Sequence, residues 1–326
     1  MEKIENKIIL IFGGTGSLGN ALVDRYLLNN KMHLYSRDES KHWKIALDRN
    51  HPNNLDFIIG DIRNKDKVCQ TMIRINPDII IIAAAMKHID KCEFETNESI
   101  ETNLIGTKNI LDGIETHKLL LNNLKSTCFI STDKACSPVN VYGMCKAISE
   151  TLIVEKSKYI PEFKFVAVRY GNVLNSRGSI IPMLHTIGQN NNITEFKLTD
   201  EKMTRFVMTL EQSVDLIEHA LLYAESGDIV IPKLISLNVI DLIEIFSEIY
   251  NKPMVISGLR PGEKLLESLI NETQSSRLKF HKDGWMYIKP SFKKIDYNND
   301  IKDYNSTINP LSKEELKIYL KNLNLI

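Results

Sequence analysis

An excess of charge of either sign is missing from this chain. Over 326 residues, 41 Lys and Arg balance 41 Asp and Glu. A zero balance offers no general attraction to nucleic acid or an anionic membrane, and leaves open only a local basic pocket. Cysteine is scarce: Cys69, Cys92, Cys128, Cys136 and Cys145 are odd in number and form no Cys-x-x-Cys pair. That pattern fits reduced cytosolic thiols and argues against a zinc site, so no metal is expected. No apolar run approaches the roughly 18 residues that a membrane helix needs, and residues 1–7 are charged where a signal peptide would be apolar. The expectation is a soluble, cytoplasmic protein. Repeats and low-complexity segments are absent too, and the abundance of Ile, Asn and Lys reads as coding bias. What is present is 43% hydrophobic content, enough for a large core in a chain longer than one compact unit usually is, so two lobes are expected.

Residues 7–12 are a short aliphatic run ending in the glycines Gly13, Gly16 and Gly19, and residues 20–28 then carry helical periodicity. In such a strand, turn and helix, Gly13 permits the tight turn, Gly16 lets the backbone approach a pyrophosphate, and Gly19 lets the helix pack on the strand. The helix N-terminus then faces the phosphates, with Thr15, Ser17 and Leu18 in the same turn. A second strand, residues 32–35, ends at Ser36 and Arg37, with Lys41 close behind. An acidic residue at that place would hold the ribose hydroxyls of NAD, whereas Ser36 and Arg37 leave room and charge for a 2′-phosphate, so NADP is expected. Solvation of a loop is the alternative for Arg37 and Lys41. Residues 55–60 read as a third strand closed by Asp61 and Ile62, where Asp61 could accept from an adenine amino group. Residues 77–85 form a near-continuous apolar run, the mark of a central parallel strand covered on both faces. Lys87, directly beyond, can serve a phosphate or a sugar hydroxyl, or be an ordinary surface lysine. His88 reads as a packing or capping residue, and Asn103 begins a turn-rich patch before the next helix.

The stretch from Ser131 to Lys146 organises the rest. It follows an apolar strand, residues 127–130, so Thr132, Asp133 and Lys134 sit at a strand's carboxyl end, where open α/β sheets place their ligands. Tyr142 and Lys146 are four apart, which stacks them on one helix face. A cation beside a phenol lowers its pKa from about 10 and allows proton exchange near neutrality. Beyond a strand at residues 165–169 the pattern becomes loop-like. Residues 211–224 read as an amphipathic helix returning to the first lobe, residues 255–259 as a short strand, and the tail from Lys279 carries little signal. The fold class expected is α/β: a doubly wound, Rossmann-type parallel sheet with a smaller C-terminal α/β substrate lobe. Residues 1–170, with returning segments near 207–235, form the dinucleotide-binding domain, and 171–206 with 236–326 the second lobe.

With Gly13-x-x-Gly16-x-x-Gly19 and Tyr142-x-x-x-Lys146 placed in this order, the chain resembles the extended short-chain dehydrogenase/reductase superfamily. That resemblance implies that Tyr142 is the acid or base at a sugar hydroxyl, that Lys146 lowers its pKa and holds the nicotinamide ribose, and that Thr132 bonds the same substrate oxygen. Related retaining 4,6-dehydratases place Asp-Glu after the threonine, whereas Asp133-Lys134 stands here. The run from Ser131 to Lys146 therefore looks like the soluble, inverting UDP-N-acetylglucosamine 4,6-dehydratases. The resemblance continues through Ala83, Ala84 and Lys87, through Asn172, Arg177, Met203 and Arg205, and through Arg260 to Lys264, covering roughly residues 7–270. It implies cofactor contacts from the glycine turn, Ser36, Arg37, Lys41, Asp61, Ile62, Ala83, Ala84, Lys87, Asn103, Tyr142 and Lys146. It implies a UDP-sugar held by Lys87, Thr132, Asn172, Arg177, Met203, Arg205, Arg260 and Glu263; Arg205 pairing with Asp200 or Glu201, and Glu263 capping a helix, are the structural alternatives. Homo-oligomers, often hexamers, are implied as well.

The mechanism so implied has Tyr142 take the C4 hydroxyl proton, a neutral Lys134 remove the C5 proton, and a protonated Asp133 deliver its proton to the departing C6 hydroxyl. Lys134 then needs a depressed pKa, from burial or from Lys146, and Asp133 a raised one. A C5-retaining dehydratase or a 4-epimerase of a UDP-sugar is the alternative, and an idle NADP-binding regulator the remote one.

Overall fold

The computed structural model describes residues 3–293 and 303–326. Its larger lobe is built on strands β1 (Ile8–Phe12), β2 (Lys31–Ser36), β3 (Leu55–Ile59), β4 (Ile79–Ile82), β5 (Ser126–Ile130) and β6 (Lys164–Val168), in the spatial order β3-β2-β1-β4-β5-β6 and all parallel. Ile229–Ile231 adds a seventh parallel strand beside β6. Alternation along each strand splits the side chains between two faces. Leu10, Phe12, Ile80, Ile82, Phe129 and Phe165 meet the helices Lys65–Ile75, Gly106–Thr116 and Val141–Tyr159. Ile9, Ile11, Ile79, Ile81, Cys128 and Val166 meet Ser17–Tyr26 and Leu210–Tyr223. Covering on both faces explains the unbroken isoleucines of β4. The doubly wound Rossmann-type sheet expected from the sequence is therefore present. Its order reverses between β1 and β4, the place where such sheets open a crevice at their carboxyl ends.

The helix expected at 211–224 runs from Leu210 to Tyr223 and packs on Ser17–Tyr26, β5 and β6, as a returning segment should. The smaller lobe has its own core of Phe196, Phe246, Leu242, Leu316 and Leu320. It holds a four-stranded sheet of Asn172–Val173, Thr204–Met208, Ile235–Asn238 and Pro310–Leu311. Residues 278–288 correct the boundary drawn at 236. Leu278–Phe280 and Met286–Ile288 pair antiparallel with each other, and the latter pairs with Ile229–Ile231, so both extend the large sheet. Strands of three residues show too little alternation to be seen, and the strand that ties this hairpin to the sheet is more than fifty positions away. The strand expected at 255–259 is Met254–Ile256. All five cysteines are buried and free. Among the described residues no helix is long and apolar enough to cross a membrane, and no cluster of His, Cys, Asp or Glu could hold a metal ion.

Candidate active site

Past the end of β5 the chain stays bonded to the chain leaving β6: Ser131 N–H donates to Val168 O at 2.8 Å and Asp133 N–H to Tyr170 O at 2.9 Å. These bonds carry Thr132 and Asp133 beyond the sheet edge into a single helical turn, Asp133–Ala135. Asn140 then caps the helix Val141–Tyr159, its side chain accepting from Gly143 N–H at 2.8 Å, which places Tyr142 and Lys146 in the first turns. The Lys146 ammonium donates to Ile130 O at 2.8 Å and lies 4.5 Å from the centre of the Phe129 ring. Burial lowers its pKa to about 8.

A cleft of about 840 Å³ runs along the carboxyl ends of the strands. Of the expected cofactor contacts, Gly13, Thr15, Gly16, Ser17, Leu18, Gly19, Arg37, Lys41, Asp61, Ile62, Ala83, Ala84 and Lys87 line it, together with Thr132, Lys134, Tyr142, Lys146, Asn172 and Arg177. Gly13 has φ +87°, and a Cβ there would lie 2.5 Å from Ala84 N, so the turn accepts only glycine. Ser36 sits just behind the wall, accepting from Thr15 Oγ1 at 3.1 Å and paired with His42 Nε2 at 2.8 Å. Arg37 lies 3.6 Å from Asp61 and is well exposed, and Lys41 pairs with Asp38 at 2.6 Å. Although burial opposes it, bonding to Arg63 holds the Asp61 carboxyl below its ordinary range. Asn103 is fully buried in a π-helical turn and grips the backbone of Met86 through both ends of its amide, at 2.8 and 2.9 Å. It shapes the wall of the cleft from behind.

Of the residues expected to hold a UDP-sugar, Met203, Arg205, Arg260 and Glu263 are not part of the lining of this cleft. Arg205 donates to the carbonyls of Thr204 at 2.7 Å, Lys264 at 2.9 Å and Leu265 at 3.1 Å, with Met203 buried beside it. Arg260 is exposed and forms an ion pair with Glu263.

Around Lys134 the structure departs from the expectation. Its Nζ is 3.0 Å from Asp133 Oδ1 and 3.3 Å from Glu267 Oε1, and both carboxylates are almost wholly buried. Burial works against the ammonium, but Asp133 and Glu267 overcome it and hold Lys134 above the ordinary lysine value. A depressed pKa is thus replaced by a raised one, because two carboxylates meet the amine where the sequence reading expected burial, a nearby cation and a protonated Asp133. Tyr142 differs likewise. Burial pushes its phenol up to about 12, and Lys134 is the foremost group acting to lower it. Lys146 is bound to the Ile130 carbonyl at the end of β5. Thr132 Oγ1 donates to Asp133 Oδ1 at 2.9 Å, and Asp133 Oδ2 is buried without a hydrogen bond. An amine and a phenol therefore line the cleft, with the buried Asp133 carboxyl bonded to the amine, as acid and base groups for an elimination would be. The sequence reading missed Glu267 and the cleft-lining Tyr170, and it set aside His88, which also lines the cleft. The one available signal for Glu267 was an acidic residue placed directly before the short strand Ser268–Ile270.

The family model described as polysaccharide biosynthesis protein matches residues 9–289. UDP-N-acetylglucosamine 4,6-dehydratase (inverting) of Campylobacter jejuni subsp. jejuni serotype O:2 is 36% identical over 317 residues, 96% of this chain and 90% of that protein. UDP-glucose 4-epimerase of Rickettsia bellii is 34% identical over 344 residues, 98% of this chain and 97% of that one. The X-ray structure of Pen from Bacillus thuringiensis is 33% identical, covers both chains fully and gives a TM-score of 0.90.

Proposed function

Because the chain belongs to the polysaccharide biosynthesis protein family, with Asp133, Lys134 and Tyr142 at one end of its cleft, we propose that it is an NADP-dependent, C5-inverting UDP-N-acetylglucosamine 4,6-dehydratase. The observation that carries this is the Lys134 amine, 3.0 Å from a buried carboxyl at the end of β5. The 4-epimerase reading removes and returns hydride at one carbon and has no use for an acid and base couple there. It draws support from the Rickettsia relative's name.

The near half of the cleft fits a dinucleotide. The helix Ser17–Tyr26 starts after Gly16 with no side-chain cap and no acidic residue in its first turn, so its free N–H groups and dipole favour a pyrophosphate. Exposed Arg37 at the end of β2 supports a 2′-phosphate and hence NADP. A nicotinamide bound there would supply the hydride acceptor for C4 and the hydride donor for C6. Tyr142 Oη, as the phenolate that the Lys134 ammonium acts to stabilise, takes the C4 hydroxyl proton. The Lys134–Asp133 ion pair becomes active by one transfer across 3.0 Å, which leaves a neutral amine and a neutral acid and belongs to the pair rather than to either residue. Lys134 Nζ then takes the proton at C5, Asp133 gives its proton to the C6 oxygen, water leaves, and the pair returns to its ionic form. Reprotonation of C5 from the other face gives UDP-2-acetamido-2,6-dideoxy-β-L-arabino-hexos-4-ulose. Exposed Phe94, Met144 and Ile148, on helices Ile89–Phe94 and Val141–Tyr159 that pack together, support the homo-oligomer expected from the sequence.

The test is NMR of the product formed from UDP-GlcNAc in deuterated water. A 4-keto-6-deoxy sugar of L-arabino configuration with deuterium at C5 is expected. Epimerisation without loss of water would replace this reading by the 4-epimerase, and a D-xylo product would sink inversion.

A further inference from the structure

The transfer within the Lys134–Asp133 pair leaves a difficulty. Once Asp133 is neutral, the ionic bond that held Lys134 is gone, and the amine would lose both its position and much of its basicity. Glu267 stands where it meets that need. Its side chain is 2% exposed, its Oε1 lies 3.3 Å from Lys134 Nζ, and its Oε2 is buried without a hydrogen bond, 3.7 Å from Lys264 Nζ. The groups that act on Lys134 are Asp133 from its own turn, Glu267 from the segment ahead of Ser268–Ile270, Arg205 from the strand Thr204–Met208 and Tyr142 from the helix Val141–Tyr159, with Lys264 beyond Glu267. Arg205 opposes a charge on Lys134, and Glu267 is the second anion, besides Asp133, that favours it.

We infer that Glu267 is a positioning residue for the elimination: its carboxylate holds the Lys134 nitrogen and strengthens it as a base after Asp133 has taken up a proton. This rests on the dehydratase reading above. In the transfer one Nζ–H bond breaks and an O–H bond forms on Asp133 Oδ1. The electron pair left on Nζ then bonds the C5 proton, the C5–H pair becomes the C5=C6 double bond, and the C6–O pair leaves with the Asp133 proton as water. Glu267 stays a carboxylate throughout.

Glu267→Gln keeps the shape and removes the charge. Two measurements are made on the full chain: the pH titration of the Lys134 Nζ signal in protein carrying ¹⁵N-lysine, and the pH dependence of kcat on UDP-GlcNAc. In the variant Lys134 is expected to lose its proton roughly one pH unit or more lower than in the native chain. Both limbs of the kcat profile should move to lower pH, with kcat down by about tenfold to a hundredfold and KM changed by less than about threefold. Glu267→Asp, which keeps the charge on a shorter stem, should restore part of the shift. An unchanged Lys134 titration, or a loss of kcat with both limbs unmoved, overturns the inference and leaves Glu267 a packing residue. If the native chain forms no 4-keto sugar the dehydratase reading fails, and the lysine titration still decides whether Glu267 governs the Lys134 proton.

Discussion

Lys134 lies within ion-pair reach of both Asp133 and Glu267, so removing it unpairs two buried carboxylates at once. Lys134→Ala is expected to lower kcat by about 10³-fold or more and to cost about 3–5 kcal/mol of stability, read from product NMR and urea unfolding. A variant that lost activity with its urea midpoint unmoved would show that the carboxylates do not depend on the lysine for their charge. Lys146 is the opposite case, since burial depresses it to about 8 whereas an unfolded lysine keeps its proton to about 10.4. Between those values the unfolded chain binds more protons than the folded one. The stability of the native chain relative to Lys146→Met should therefore rise with pH, by up to about 3 kcal/mol across that window, and stay flat below it. Urea unfolding of both proteins at about pH 7.5 and pH 9.5 measures this, and a difference that fell with pH would contradict a buried amine. Asp133, Lys134, Tyr142 and Lys146 were legible because they share one short stretch whose strand end and helix spacing fix their neighbourhood. Glu267 was not, because it reaches Lys134 from 133 positions further along the chain, and no local pattern records that approach.

Among the elements, the glycine turn and the end of β2 were legible for the same local reason: the first helix follows its strand within five residues, and only glycine satisfies the turn at Gly13. Leu278–Phe280 and Met286–Ile288 were not, since the hairpin they form joins the large sheet only where Met286–Ile288 pairs with a strand far away in sequence. The proposed preference for NADP rests on the β2 end. Arg37 there is 59% exposed and meets Asp61 at no closer than 3.6 Å, which leaves its guanidinium available to a 2′-phosphate. Arg37→Glu is expected to weaken NADP binding by about tenfold or more and to leave NAD within about threefold, by fluorescence titration of each reduced cofactor. Equal losses for both would mean that Arg37 supports the loop and not the phosphate.

Taken as a whole, the molecule places its acid and base cluster across the seam between two lobes. Asp133 and Lys134 come from the large sheet, and Glu267 comes from the segment that Arg205 ties down through the carbonyls of Lys264 and Leu265. Lys264 strengthens the seam by donating to Cys136 O at 2.9 Å. Two readings of Arg205 then separate cleanly. If it binds the uridine diphosphate, as the sequence suggests, Arg205→Met should raise KM for the sugar nucleotide and leave stability nearly untouched. If it acts through the carbonyls it now holds, the same substitution should cost about 1–3 kcal/mol. It should then lower kcat more than it raises KM, because Glu267 lies two residues beyond Leu265 and would no longer be set against Lys134. The hydrogen bonds favour the second outcome, and urea midpoints together with kcat and KM on UDP-GlcNAc decide it; a change confined to KM would return Arg205 to the substrate.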